Sequence, residues 1–138
     1  MPASKFAVDA YVNFVGSRSL LEAIASSLTE IYAPAIHAER ISGLSKHYEW
    51  ADDYALAYFK KRIGQARKDV EFGREWVIDN AITRDDQEAV LGAVKFKTEV
   101  LWAQLDALYY AYIDPGFIPP GAFVPKGFDA KKWAQNND

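Results

Sequence analysis

Cysteine does not occur in the 138-residue sequence. Disulfides, thiol catalysis and thiolate-held zinc or iron–sulfur sites are therefore eliminated. Histidine is nearly as scarce, with His37 and His47 alone. No Glu-x-x-His pair occurs, so the di-iron centres that helical bundles build from such pairs lack their ligands. No metal site is expected; a single axial histidine on haem is the arrangement left open. An excess of positive charge is also missing, because sixteen Lys and Arg face nineteen Asp and Glu for a net charge of −3. That balance argues against a nucleic acid partner and against an anionic lipid surface. No apolar run approaches the roughly 20 residues that span a bilayer. The first fifteen residues carry Lys5 and Asp9 and no apolar signal core. The expectation is a soluble, unexported protein of the cytoplasm. Walker A, G-x-G-x-x-G and G-x-S-x-G patterns are absent, which leaves nucleotide binding and triad hydrolysis without support.

What is present is helical periodicity. Four segments show it and none alternates with period two, so the expected class is all-α, a single helical domain over residues 1–138. The first helix is read from about Phe6 to Val15, with Gly16 available for a left-handed cap. Ser19 followed by Glu22 has the spacing of a capping box and opens the second helix. Its face Leu21, Ile24, Leu28, Ile31 and Ala35 is interrupted by Pro34, which is expected to kink or briefly break it. Leu44 to Trp50 reads as a connector with aromatic anchors. A long third helix runs from near Asp52 to near Asn80 on the stripe Leu56, Phe59, Ile63, Ala66, Val70 and Val77. Thr83 with Asp86 caps a fourth that continues to about Tyr112. Beyond it, residues 114–127 hold Pro115, Pro119, Pro120 and Pro125 among Phe117, Ile118, Phe123 and Val124. This stretch is expected to be an irregular strap lying across a helical surface.

Three sets of polar residues break the apolar pattern. Lys97 occupies a position of the stripe Val90, Val94, Leu101, Leu105, Leu108 and Tyr112. An ammonium there snorkels to solvent, pairs with a carboxylate or lines a polar cavity. On the second helix Glu30 and His37 fall two turns apart on one side, with Arg40 three residues further. A carboxylate and an imidazole so placed can form an acid–base pair; a surface pair or a core histidine held by one hydrogen bond are the plainer alternatives. Tyr58 and Arg62, four apart, flank the stripe of the third helix, where polar groups are ordinarily solvated.

Several stretches then resemble the C-terminal half of the pyrroloquinoline quinone synthase family. They are Phe6-Ala7-Val8-Asp9-Ala10-Tyr11-Val12-Asn13-Phe14, Ser26-Ser27-Leu28-Thr29-Glu30 through Pro34 to Ile36-His37, Gln65-Ala66-Arg67-Lys68-Asp69-Val70-Glu71, and Phe96-Lys97 with Leu101-Trp102. The tail Gly116-Phe117-Ile118-Pro119-Pro120-Gly121-Ala122-Phe123 is similar to the family's ending.

The resemblance implies a partial bundle of the haem-oxygenase-like type, about four main helices plus the strap, with no haem, no metal and no bound cofactor. It implies an oxidase that closes a ring in a reduced quinoline polycarboxylate and oxidises it, with O2 as co-substrate, H2O2 released and pyrroloquinoline quinone as product. The family's pocket residues fall on Tyr11, Glu30, His37, Arg40, Tyr58, Arg62 and Lys97. Arg40 and Arg62 become the substrate clamps and Lys97 a point charge, since arginine meets a carboxylate as a bidentate fork. His37 becomes the general base or proton shuttle, with Glu30, Tyr11 and Tyr58 relaying or positioning protons. Family members are about twice this long, so the resemblance also implies that further helices complete the pocket. The expected partners are therefore a small polycarboxylate quinoline and either a second copy or a fragment supplying those helices. Two alternatives remain: a non-catalytic helical binding or assembly module, and a haem binder through His37.

Overall fold

The computed structural model describes residues 2–114, 125–129 and 132. It is all-α, with no strand among the described residues. Helix α1 spans Pro2–Ser17, α2 Leu20–Ser26, α3 Ala33–His47, α4 Asp53–Asn80 and α5 Arg84–Tyr112, and a 3₁₀ turn over Ser27–Tyr32 joins α2 to α3. No helix among the described residues is long and apolar enough to cross a membrane. They hold no group of His, Asp and Glu able to grip a metal ion.

Local chemistry sets the helix ends. Ser19 Oγ accepts from the Glu22 N–H at 3.2 Å while Glu22 Oε2 accepts from the Ser19 N–H at 3.1 Å, so each satisfies a donor that the first turn leaves free. Thr83 and Asp86 repeat the exchange ahead of α5, at 3.1 and 2.9 Å. Asp52 caps α4 by accepting from the Ala55 N–H at 2.9 Å.

Three boundaries differ from expectation. Helix α1 begins at Pro2 and runs through Gly16 to Ser17 without a left-handed residue. Proline in the first turn gives up only a donor with no partner there, so the earlier start is cheap. The break around Pro34 falls on its N-terminal side. Pro34 has no N–H to offer the Glu30 carbonyl, which accepts from the Ala33 N–H instead; that shorter step is the 3₁₀ geometry. Helix α3 then continues past Gly43 to His47, so Leu44 to His47 are helical and the connector shrinks to five residues, 48–52. Its aromatics are not buried anchors: Tyr48 and Trp50 are exposed and pack on each other, rings 5.4 Å apart.

The chain forms two compact units, residues 12–98 and residues 1–11 with 99–138. In the first, Ala25, Val77 and Ala93 are buried, with Phe14, Leu21, Ile24, Leu28, Trp76 and Val90 packed around them. Alanines at the centre allow close helix approach, and Gly73 of α4 is buried against Leu28 and Ile24 in the same way. In the second unit Ala7 and Val100 are buried. Leu105, Leu108, Tyr109, Tyr112 and Ile113 stay exposed, and with Trp102 they line an open groove of about 470 Å³. The buried line of α5 thus passes through Ala93 and Val100, one position before the expected Val94 and Leu101. Of the strap, Pro115 to Val124 lie outside the described residues. Its described end is a turn, in which Phe128 N–H donates to the Pro125 carbonyl at 3.0 Å and Gly127 takes the positive φ of 84°.

Candidate functional site

Helix α4 supplies the frame. Tyr58, Arg62 and Asp69 are separated by four and seven residues, which at 100° per residue sets them along one side of the helix. Arg62 lies mostly out of solvent, its side chain 24 % exposed. Its Nη2 reaches Glu30 Oε2 at 3.4 Å and its Nη1 reaches Asp69 Oδ2 at 3.4 Å. Ser27, Glu30, Arg62, Asp69 and Val70 line a pocket of about 170 Å³. Glu30 is therefore directed by the 3₁₀ turn toward α4 and not along a continuous helix toward His37.

Lys97 of α5 belongs to the same group. Desolvation holds its ammonium below the usual lysine pKa, and the Glu30 carboxylate works in the opposite direction. Of the fates open to a lysine on an apolar stripe, this one keeps it partly buried and electrostatically tied to an acid. Glu30 thus faces two cations, Arg62 by contact and Lys97 through its field.

One turn before Arg62, Tyr58 and Phe59 meet α3. His37 is 9 % exposed, its ring 5.6 Å from Phe59 and 6.3 Å from Tyr58, the latter edge-on. Its Nδ1 is buried without a hydrogen-bond partner. Leaving such an atom unsatisfied costs about 1–3 kcal/mol, a cost that a bound partner at Nδ1 would relieve. Arg40 lies over the other ring contact of this set, its guanidinium carbon 5.4 Å from the Phe59 centroid. It also borders an open groove along α3 with Ile36, Glu39, Leu44 and His47.

Six of the seven residues singled out in the sequence thus fall in the unit 12–98 and divide between two adjoining stretches of α4: Glu30, Arg62 and Lys97 in one, His37, Arg40 and Tyr58 in the other. Tyr11 belongs to the other unit. Two contributors were missed. Phe59 was read only as core, although its ring touches both His37 and Arg40. Asp69 carried a usable signal, since seven residues is two helical turns from Arg62.

The arrangement combines guanidinium groups, a desolvated ammonium, an orphaned imidazole nitrogen and a carboxylate. Cations of this kind receive carboxylates, and an imidazole nitrogen can accept or donate a hydrogen bond to a bound group.

Comparison with known proteins adds the lineage. Residues 1–107 match the TENA/THI-4/PQQC family. The pyrroloquinoline-quinone synthase of Rhizobium meliloti (strain 1021) is 61% identical over 123 residues, covering 89% of this chain and 48% of that protein. That of Rhodopseudomonas palustris (strain TIE-1) is 56% identical over 128 residues, 93% of this chain and 50% of the relative. That of Granulibacter bethesdensis is 54% identical over 126 residues, with 91% and 49% covered. The chain spans about half the length of these curated relatives.

Proposed function

The chain belongs to the TENA/THI-4/PQQC family, and from that premise we propose that it is the part of a pyrroloquinoline-quinone synthase that binds and deprotonates the substrate. The reaction is the final ring closure and oxidation of a reduced quinoline polycarboxylate. Dioxygen is the oxidant: each molecule that leaves as H2O2 takes two electrons and two protons from the substrate. No resident cofactor takes part.

The observation that carries this reading is the buried His37 Nδ1 with no partner, in a ring set beside Tyr58, one turn along α4 from the Arg62 that pairs with Glu30. His37 takes protons from the substrate, and Glu30 and the phenol of Tyr58 pass or orient them. Arg62 and Arg40 clamp substrate carboxylates, and Arg40 is steadied by the Phe59 ring. Lys97 adds a positive charge in a desolvated setting, where it favours the anion that dioxygen becomes on accepting an electron. Direct electron transfer to dioxygen needs an electron-rich, deprotonated substrate, so proton removal and positive charge belong in one pocket.

The second half of the pocket is supplied by the helices that account for the relatives' additional length. These helices cover the apolar groove between Trp102 and Ile113, whose exposed side chains are expensive in water. The test is reconstitution: the chain is mixed with a polypeptide carrying those helices, and oxygen uptake and quinone absorbance are followed. His37→Asn and Lys97→Ala each lower turnover by more than about tenfold. Unchanged turnover removes them from the mechanism.

The same exposed groove favours a second reading, a binding or assembly module that turns nothing over. That reading expects self-association in sedimentation and no oxygen uptake under any complementation.

A further inference from the structure

Arg62 is gripped from two sides, and only one of the two carboxylates has a part in the chemistry above. Glu30 comes from the 3₁₀ turn, thirty-two residues away in sequence; Asp69 stands two turns along the same helix as Arg62. Both contacts are 3.4 Å and use different terminal nitrogens, so the guanidinium is spanned between the acids rather than forked onto either. Asp69 borders the pocket that Arg62 and Glu30 also line.

We infer that Asp69 is a positioning residue, which with Glu30 fixes the guanidinium plane of Arg62 so that its remaining N–H donors meet a carboxylate of the anionic guest. This rests on the substrate-binding reading above. An arginine side chain has four rotatable bonds, and one carboxylate contact leaves the plane free to swing about it. A second contact at the other terminal nitrogen removes that freedom before the ligand arrives, and preorganisation of this kind raises affinity. Asp69 also carries negative charge, which opposes an anion. The two effects have opposite signs, so substitutions separate them.

The experiment titrates the full chain, complemented with the helices of the relatives' other half, with pyrroloquinoline quinone by absorbance. Asp69→Ala weakens binding by about fivefold, whereas Asp69→Asn, which keeps an acceptor oxygen and drops the charge, binds at least as tightly as the unsubstituted chain. In an Arg62→Ala background the Asp69→Ala change has no further effect. Nitrogen relaxation at Arg62 Nε reports greater mobility in Asp69→Ala and normal mobility in Asp69→Asn, and it reads the positioning without any ligand. Because Asp69 is 54 % exposed, the substitutions leave the fold intact, which thermal melting checks. If the unsubstituted chain binds and Arg62→Ala weakens it while Asp69→Ala changes nothing, the inference fails and the substrate reading stands. Tighter binding by Asp69→Ala also overturns it, since charge then dominates. No binding by the unsubstituted chain overturns the substrate reading and this inference together.

Discussion

Two stretches of α5, one within residues 12–98 and one in the second unit, use the same kind of amphipathic helix and reach opposite ends. In the first, Ala93 of α5 is 1% exposed among the side chains of α2 and α4. In the second, Leu105 of the same helix is 63% exposed, with Tyr112 at 73%. Periodicity continues across both. An apolar stripe offers burial but does not supply the surface that accepts it, so the difference lies in the neighbours each stretch finds.

The sharpest way to break that comparison is to place one charge in each region. Ala93→Asp puts a carboxylate among Ala25, Val77 and Phe14, and is expected to cost more than about 3 kcal/mol, enough to abolish the cooperative thermal transition. Leu105→Asp is expected to change the stability of the isolated chain by less than about 0.5 kcal/mol, yet to abolish association with the polypeptide proposed to cover the groove. Equal effects at the two positions, measured by denaturant unfolding and sedimentation, would show that the two stretches are not different in kind.

Ser19→Ala tests the local layer beneath both regions, and its expected cost is about 1 kcal/mol from the lost cap. The Ser19 hydrogen bonds hold the Glu22 carboxyl below its usual pKa. A carboxyl depressed in the folded state contributes stability that is complete above its unfolded value and is lost as the pH falls through the folded one. The difference between wild type and Ser19→Ala therefore narrows on acidification below the usual carboxylate range. A gap that stays constant to pH 2 in urea titrations contradicts this assignment.

The last effect has the opposite sign. A Cβ on Gly73 would stand 3.6 Å from Leu28 Cδ2 and 3.8 Å from Ile24 Cγ2, ordinary packing distances. Gly73→Ala is thus expected to stabilise by about 0.5–1 kcal/mol, since alanine loses less backbone freedom in a helix. A lower melting temperature would mean that α4 approaches α2 more closely than these distances allow.

Much of the fold was legible because its signals are local. Ser19 with Glu22 and Thr83 with Asp86 satisfy donors three residues away, and Asp52 caps the helix read to start beside it. The site was legible in part. Spacing isolated Lys97 and aligned Glu30 with His37, but family resemblance brought in Tyr11 and gave Tyr58 and Arg62 a role. The alignment of Glu30 with His37 assumed a continuous helix, and the 3₁₀ turn ahead of Pro34 redirected Glu30 to Arg62. That pairing joins residues thirty-two apart, a distance over which helical periodicity carries no information.

The sequence by itself determined the helices, their caps and the chemical types available: no thiol, two histidines, and cations set among apolar positions. These follow from backbone hydrogen bonding within a few residues and from what each side chain is. Only the tertiary structure decided which acid each arginine meets, that the His37 nitrogen is buried without a partner, and that α5 is covered at Ala93 and open at Leu105. Those outcomes depend on which surfaces of distant segments come together, because desolvation and pairing are set by the neighbours in space and not by the neighbours in the chain.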